Sequence, residues 1–244
     1  MSKHKVNSIF ISDIHLGTKG CKSKKLFNFL SEYQSDNLYL VGDIVDIWAM
    51  KRGLYWPQSH NDIVKLLLKK SRQKTKVIYI IGNHDETFRE FIPGEFGNIK
   101  IENKVIHTSA DGKHYIVMHG DQFDVIVQNK KYLAILGSWA YDTLLWMNSY
   151  LELIQLKLKL KPWSISRFAK AKAKAVMNYI GNFEDTALEY AKSEGVNGII
   201  CGHIHHPIVK QVNESFYINC GDWVESCSAI IEHSNGTFEL VTFS

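Results

Sequence analysis

Five short apolar runs in this chain end in clusters of metal-binding residue types: Asp13-Ile14-His15, Gly42-Asp43, Gly82-Asn83-His84-Asp85, His119-Gly120 and Gly202-His203-Ile204-His205. The runs (6–12, 37–41, 76–81, 114–118 and 198–201) are largely apolar, and several are rich in β-branched or aromatic residues, so each reads as a buried strand. The polar cluster then falls at the strand's carboxyl end. Open α/β sheets bind ligands just outside those ends, so the expected fold brings five of them to one place. A lone Asp-x-His is more often structural than catalytic, but five such clusters in one chain point to a hydrolytic metalloenzyme.

The rest of the pattern defines the layers around these strands. Helical periodicity over residues 22–35 and 61–73 alternates with the first three strands, which is an α/β signature. Short β-like runs follow at 99–101, 104–107 and 114–119, and again at 198–201, 216–219, 228–232 and 238–243, with Asp111-Gly112 and Asn235-Gly236 as turn signals. The expectation is a single domain over residues 1–244, an α/β fold in which two mixed sheets pack face to face with helices outside. Residues 122–191 lack this strand-and-turn rhythm and read as a helical insertion standing over the sheet ends. Within it, Leu-Lys alternation over 156–161 has a strand period, but flanking helical patterns favour helix.

Composition narrows the class further. The formal charge of +4 does not by itself argue for nucleic acid. Four cysteines without C-x-x-C spacing favour a reduced, cytosolic protein. The chain enters a strand within a few residues of Met1, leaving no room for a secretory signal, and no run reaches the ~18 to 20 apolar residues of a membrane span. The expected location is cytoplasmic, peripheral to the inner membrane at most.

Asp13 and His15 are two residues apart, so on an extended chain they point to one side and can grip one ion; His203 and His205 repeat that spacing. With Asp43, Asn83 and His119 the set reaches seven oxygen or nitrogen ligands and no thiolate. That is too many for one tetrahedral ion and fits two divalent ions sharing a bridging carboxylate. The donor types suit Mn first, with Fe, Zn or Co as alternatives. A pair of such ions generates hydroxide near neutral pH and clamps the attacking and leaving oxygens of phosphoryl transfer, so a phosphate ester or anhydride is the expected substrate.

The series Asp13-Ile-His15, Gly42-Asp43-Ile-Val-Asp46, Gly82-Asn83-His84-Asp85, His119-Gly120 and Gly202-His203-Ile-His205 resembles the calcineurin-like metallophosphoesterase superfamily, in the family's order. The resemblance implies a four-layer αββα sandwich with a dinuclear site. Asp13, His15, Asp43 and His205 would hold one ion and Asp43, Asn83, His119 and His203 the other. His84 would be the catalytic histidine, with Asp85 orienting and charging its imidazole. Gly42-Asp43-Ile-Val-Asp46-Ile-Trp48, Met118-His119-Gly120-Asp121, the helical insertion and Asn219-Cys-Gly-Asp222-Trp223 are similar to the bacterial group containing the UDP-2,3-diacylglucosamine hydrolases. Those enzymes cleave a lipid-linked pyrophosphate, releasing UMP and a lipid monophosphate. One position departs: the best known members carry Arg where this chain has His84. Alternative readings are a phosphodiesterase or phosphatase acting on a nucleotide, a nucleic acid end or a phosphoprotein, and a non-catalytic scaffold, which seven intact ligands oppose.

Other residues carry expectations of their own. Trp139, Tyr141, Leu145, Trp146 and Tyr150 either line a cavity for acyl chains or form core between helices. Lys157, Lys159, Lys161, Arg167, Lys170, Lys172 and Lys174 form either a solvated face or a site for a diphosphate or anionic lipid headgroups, which would give peripheral contact with membrane lipid. Asp121, Trp139, Tyr141, Trp146, Lys170 and Lys174 are the candidate substrate contacts. Asp46 reads equally as a partner of a ligand histidine or as a helix-starting acid. His4, His60, His107, His114 and His233 stand apart from any cluster and read as ordinary surface residues.

Overall fold

The strand sequences alternate which face they bury, and that alternation builds two cores. The computed structural model describes residues 4–124 and 165–243. In β1 (His4–Ile11), Ile9 and Ile11 face one way and Phe10 the other. Ile9 and Ile11 join a cluster with Leu26, Phe29 and Leu30 of α1 (Ser23–Glu32) and Ile63 and Leu67 of α3 (Gln58–Arg72). Phe10 joins Tyr39, Ile78, Tyr115, Ile200 and Ile218 in a second cluster between the sheets.

The first sheet adds β2 (Tyr33–Val41), β3 (Lys76–Ile80), β4 (Gly94–Phe96), β5 (Ile99–Glu102), β11 (Ser228–Glu232) and β12 (Phe238–Thr242), in the order β12-β11-β1-β2-β3-β5-β4. β1, β2, β3 and β5 run parallel, while β11, β12 and β4 pair antiparallel. The second sheet orders β6 (Lys104–Thr108), β7 (His114–Met118), β8 (Gly198–Cys201), β10 (Ser215–Asn219) and β9 (Ile208–Val212) as β6-β7-β8-β10-β9. Parallel neighbours β1, β2 and β3 in one sheet and β7 and β8 in the other put the five carboxyl ends at one edge of the sandwich. The last layer includes the C-terminal turns of α4 (Ile165–Ser193), where Ala187 and Ala191 are buried and Tyr190 and Glu194 bond Lys104 of β6. The result is an αββα sandwich of two mixed sheets.

The chain divides into two compact units, Met1–Asp121 with Ala187–Ser244, and Gln122–Thr186. Of the second unit only residues 122–124 and 165–186 are described; there Phe123 meets Phe183 edge-on at 5.6 Å and Tyr179 donates to Asp124 Oδ1 at 2.6 Å. Trp139, Tyr141, Leu145, Trp146, Tyr150, Lys157, Lys159 and Lys161 lie outside the described residues, as do the side chains of Arg167, Lys170 and Lys172.

Several elements differ from their sequence reading. The helix expected over 22–35 stops at Glu32, because Tyr33, Gln34 and Ser35 pair with His4, Lys5 and Val6 as the start of β2. Ladder hydrogen bonds to β1 outweigh the helical pattern there. The six-residue helix α2 (Ile47–Arg52), the 3₁₀ turn Glu86–Phe91 and strands β4 and β9 were not anticipated, being too short to carry a period.

Two histidines read as surface residues are buried. His60 is 1% exposed; its Nδ1 accepts from Gly17 N–H at 3.1 Å, and burial lowers its pKa. His107, 2% exposed, lies between the sheets, with Nδ1 3.0 Å from the Tyr39 hydroxyl and Nε2 3.0 Å from Glu232 Oε2. Asn7 Nδ2 and the Ala110 N–H also donate to Glu232, each at 2.7 Å. Burial alone would raise the Glu232 pKa, but His107, Ser8 and the Ala110 N–H hold it below the ordinary value of 4.5. The folded protein therefore takes up this proton less readily than the unfolded chain. The stability so gained is present above the ordinary value and lost as pH falls through the lowered one. Glu232→Gln is expected to lower stability at neutral pH by about 1–3 kcal/mol and to flatten the acid limb of the melting-temperature profile. An acid limb identical to that of the parent protein would contradict this role.

Candidate metal centre

The site is assembled by backbone bonds between the loops that follow the strands. Asp13 N–H donates to Gly42 O at 3.1 Å, His15 N–H to Asp43 O at 3.0 Å and Gly202 N–H to His119 O at 3.0 Å. Carboxylates lace the same loops: His84 N–H donates to Asp43 Oδ1 at 2.8 Å and His203 N–H to Asp13 Oδ2 at 3.0 Å. Asp13, His15, Asp43, His203 and His205 all have positive φ, between 50° and 70°. The expectation that these segments are extended is therefore corrected: left-handed residues just past the strand ends turn the side chains together. For non-glycine residues such backbone is costly, and it clusters at functional sites.

The closeness of these loops also explains the motif glycines. Gly42 has φ 79°, and a Cβ there would overlap the His119 ring; a Cβ on Gly82 would overlap Asp43 Oδ1. Gly42→Ala is expected to cost about 1–3 kcal/mol through overpacking and to displace His119. Thermal melts and bound-metal analysis would check this, and unchanged values in both would refute it.

Three groups of side-chain donors result among the described residues, each with its ligand atoms within 4.8 Å of one another: Asp13, His15 and His205; Asp13, Asp43 and His119; and His15, Asp46 and His84. Asp13 Oδ1 is buried without a hydrogen bond, with His205 Nε2 at 3.0 Å and His15 Nε2 at 3.9 Å. His119 Nδ1 donates to the Val41 carbonyl at 2.9 Å, which leaves Nε2 facing Asp43 Oδ2 at 3.4 Å and Asn83 Oδ1 at 3.3 Å. A nitrogen lone pair aimed at two oxygens is repulsive unless a cation lies between them. Without such an ion a proton takes its place: burial disfavours a charged His119, but Asp43, Asp13 and Asp121 outweigh it and raise the pKa to about 10. Burial likewise opposes ionisation of Asp13 and Asp43, and the facing histidines hold both carboxyls low. His203 stacks edge-on to His119, with ring centroids 5.1 Å apart. Imidazole, carboxylate and amide donors without a thiolate fit a borderline divalent ion.

His84 stands beside this set. Its Nε2 is 3.9 Å from Asp43 Oδ2, its Nδ1 is 3.1 Å from Asp46 Oδ1, and the Trp48 ring packs on it at 4.5 Å. The orienting carboxylate is thus Asp46, not Asp85 as expected. Asp46 Oδ2 also faces His15 Nδ1 at 3.1 Å, and Oδ1 caps α2 by accepting from Ala49 N–H at 2.7 Å, so both readings of Asp46 hold together. Asp85 is fully buried and turned away, accepting from Gly82 N–H at 2.6 Å, Ile44 N–H at 2.8 Å and Tyr79 OH at 2.5 Å. It fastens the loops after β2 and β3, and its burial raises its pKa.

Among the candidate substrate contacts, Asp121 pairs with Arg89 at 2.7 Å and Lys174 is exposed. Asp222, which the sequence reading placed in the Asn219–Trp223 motif without a role, is buried and has Oδ2 3.9 Å from His205 Nδ1. Its signal was an acid three residues beyond Asn219, at the end of β10.

Comparison with known proteins bears on the same residues. The Calcineurin-like phosphoesterase family profile matches residues 7–207. A UDP-2,3-diacylglucosamine hydrolase from Wigglesworthia glossinidia brevipalpis is 25% identical over 98% of this chain and 95% of its own length. One from Haemophilus influenzae strain PittGG is 25% identical over 96% of this chain and 98% of its own. Among solved structures, vacuolar protein sorting 29 from Cryptosporidium parvum aligns with a TM-score of 0.48 and 12% identity over 96% of this chain and 94% of that one.

Proposed function

The chain belongs to the calcineurin-like phosphoesterase family, and from that premise we propose that it cleaves the pyrophosphate of UDP-2,3-diacylglucosamine, or a similar lipid-linked nucleotide diphosphate, to UMP and a lipid monophosphate. At the coarser level it is a metal-dependent phosphoesterase. The observation that carries the finer reading is coverage: relatives named for that activity align with 98% and 96% of the chain, well beyond the motif-bearing strands. The proposed location is the cytoplasm at the inner membrane, where such a lipid is encountered.

Asp13, His15, Asp43 and His205 are proposed to hold one divalent ion and Asp43, Asn83, His119 and His203 a second, with manganese first among Mn, Fe, Zn and Co. When bound, such ions activate water and offset the charge of the phosphoryl oxygens. The chain's own groups prepare that chemistry. Asp46 and the Val41 carbonyl occupy Nδ1 of His15 and His119, so each ring presents Nε2 to the site. His84, held by Asp46 and backed by Trp48, presents Nε2 beside Asp43, where it can stabilise a phosphoryl oxygen or protonate a leaving one.

His84 itself supports the second reading, a general phosphodiesterase or phosphatase, because Gly82-Asn83-His84-Asp85 is the generic superfamily form. Incubation with Mn²⁺ and UDP-2,3-diacylglucosamine, UDP-N-acetylglucosamine or bis-p-nitrophenyl phosphate separates the two. UMP release that depends on the acyl chains is expected. Hydrolysis of only the p-nitrophenyl ester, or equal rates with and without acyl chains, would favour the general enzyme.

A further inference from the structure

The 3₁₀ turn Glu86–Phe91 follows directly on the loop that carries Asn83 and His84. Residues three apart eclipse on such a turn, so Glu86 and Arg89 share a face. Glu86 Oε1 accepts from Trp48 Nε1 at 3.4 Å, and the Trp48 ring packs on His84. Arg89 reaches the other way: its Nη2 donates to Asp121 Oδ2 at 2.7 Å, in the loop after β7 and two residues beyond His119. With Asp43 and Asp13, Asp121 raises the His119 pKa against burial, so its charge is felt at the candidate ligand atoms. Asp121 Oδ1 is buried with no hydrogen bond among the described residues, while 41% of the Arg89 side chain is open to solvent. The guanidinium is thus fixed on the side of the site where His119 Nε2 and Asn83 Oδ1 lie 3.3 Å apart.

We propose that Arg89, positioned by Asp121, binds the phosphoryl group of a diphosphate that is not under attack, and so selects anhydrides over simple esters. The pairing with Asp121 uses one of the five N–H donors of the guanidinium, and the planar fork leaves others for a second partner. A diphosphate brings exactly such a partner: a second anionic group joined to the one that two ions would clamp. A monoester or diester brings none. Because Asp121 already holds the arginine, less side-chain freedom is lost when the phosphate binds. As a tie between the loops after β3 and β7 the pair would do little, since partly exposed ion pairs contribute little to stability. The inference deepens the proposed function and rests on it for the identity of the substrate; the choice of a diphosphate rests on Arg89 itself.

Calorimetric titration of the full chain in excess Mn²⁺ with UMP and with α,β-methylene-UDP, whose P–C–P bridge resists hydrolysis, tests it. The two ligands share nucleoside and first phosphoryl group, so the ratio of their dissociation constants isolates the second phosphate. The parent protein is expected to bind the diphosphate analogue about tenfold or more tightly than UMP. Arg89→Ala is expected to remove most of that preference, a loss of about tenfold in the ratio. Arg89→Lys should keep part of it, because the charge remains and the fork does not. Equal affinities in the parent protein overturn the inference, as does a ratio unchanged in Arg89→Ala, whether both constants stay or both weaken together as they would if the pair only tied the loops. Neither ligand carries acyl chains, so failure here is distinct from failure to hydrolyse UDP-2,3-diacylglucosamine.

Discussion

Asp43→Asn is expected to fold and to lose bis-p-nitrophenyl phosphate hydrolysis by about 10³-fold or more, the rate equivalent of several kcal/mol of charge stabilisation. The amide can keep the Oδ1 contact that accepts His84 N–H at 2.8 Å, so the loop after β3 stays in place. What is lost is the charge on Oδ2, which faces His119 Nε2 at 3.4 Å and His84 Nε2 at 3.9 Å. The proposed roles make Asp43 the one residue shared by both ions, so bound metal should fall along with activity. An Asp43→Asn protein that retains full metal content and rate would remove the bridging role. A merely structural Asp43 would instead show itself as a lowered melting temperature.

The second large effect belongs to Asp46, because one carboxylate does three jobs. It caps α2 through Ala49 N–H, it hydrogen-bonds Nδ1 of His15 at 3.1 Å, and its Oδ1 lies 3.1 Å from Nδ1 of His84. Asp46→Ala is expected to cost about 1 kcal/mol for the lost cap and to lower activity or metal affinity about 10- to 100-fold through the released imidazoles. Asp46→Asn separates these effects. Its carbonyl can still cap the helix, but its NH₂ would confront the Nδ1–H of His15 and push that proton to Nε2, the atom facing Asp13. The asparagine variant should therefore melt like the parent protein and lose as much activity as the alanine variant. Melting curves with kcat and KM on the same preparations would check this; normal activity in Asp46→Asn would contradict the orienting role.

The strands were the most legible part of the chain. Runs at 114–118 and 198–201 coincide with β7 and β8, because a short apolar run bounded by glycine or charge has few other ways to be buried. The helix expected to reach Ser35 shows where local pattern fails: whether Tyr33 continues a turn or pairs with His4 is decided by a neighbouring strand. The same holds for His107, whose partners Tyr39 and Glu232 come from strands remote in sequence.

In the candidate site, the residue types were legible and the partnerships were not. Asp13 and His15 converge through positive-φ backbone, which an i, i+2 spacing does not reveal. Asp85 is adjacent to His84 in sequence, yet its oxygens are taken by Tyr79 and the N–H groups of Ile44 and Gly82. Asp46, remote in sequence from His84, supplies the carboxylate instead. Its spacing did carry a signal, since an acid immediately before Ile47 and three residues before Ala49 is a helix cap.

Metal dependence is the central claim, and one measurement tests it most directly: the rate of bis-p-nitrophenyl phosphate hydrolysis before chelation, after chelation and after return of Mn²⁺. The donors gathered around Asp13 Oδ1 and His119 Nε2 predict that the stripped protein is inactive and that activity returns as the ion is restored. A rate unchanged by complete removal of metal would contradict the account.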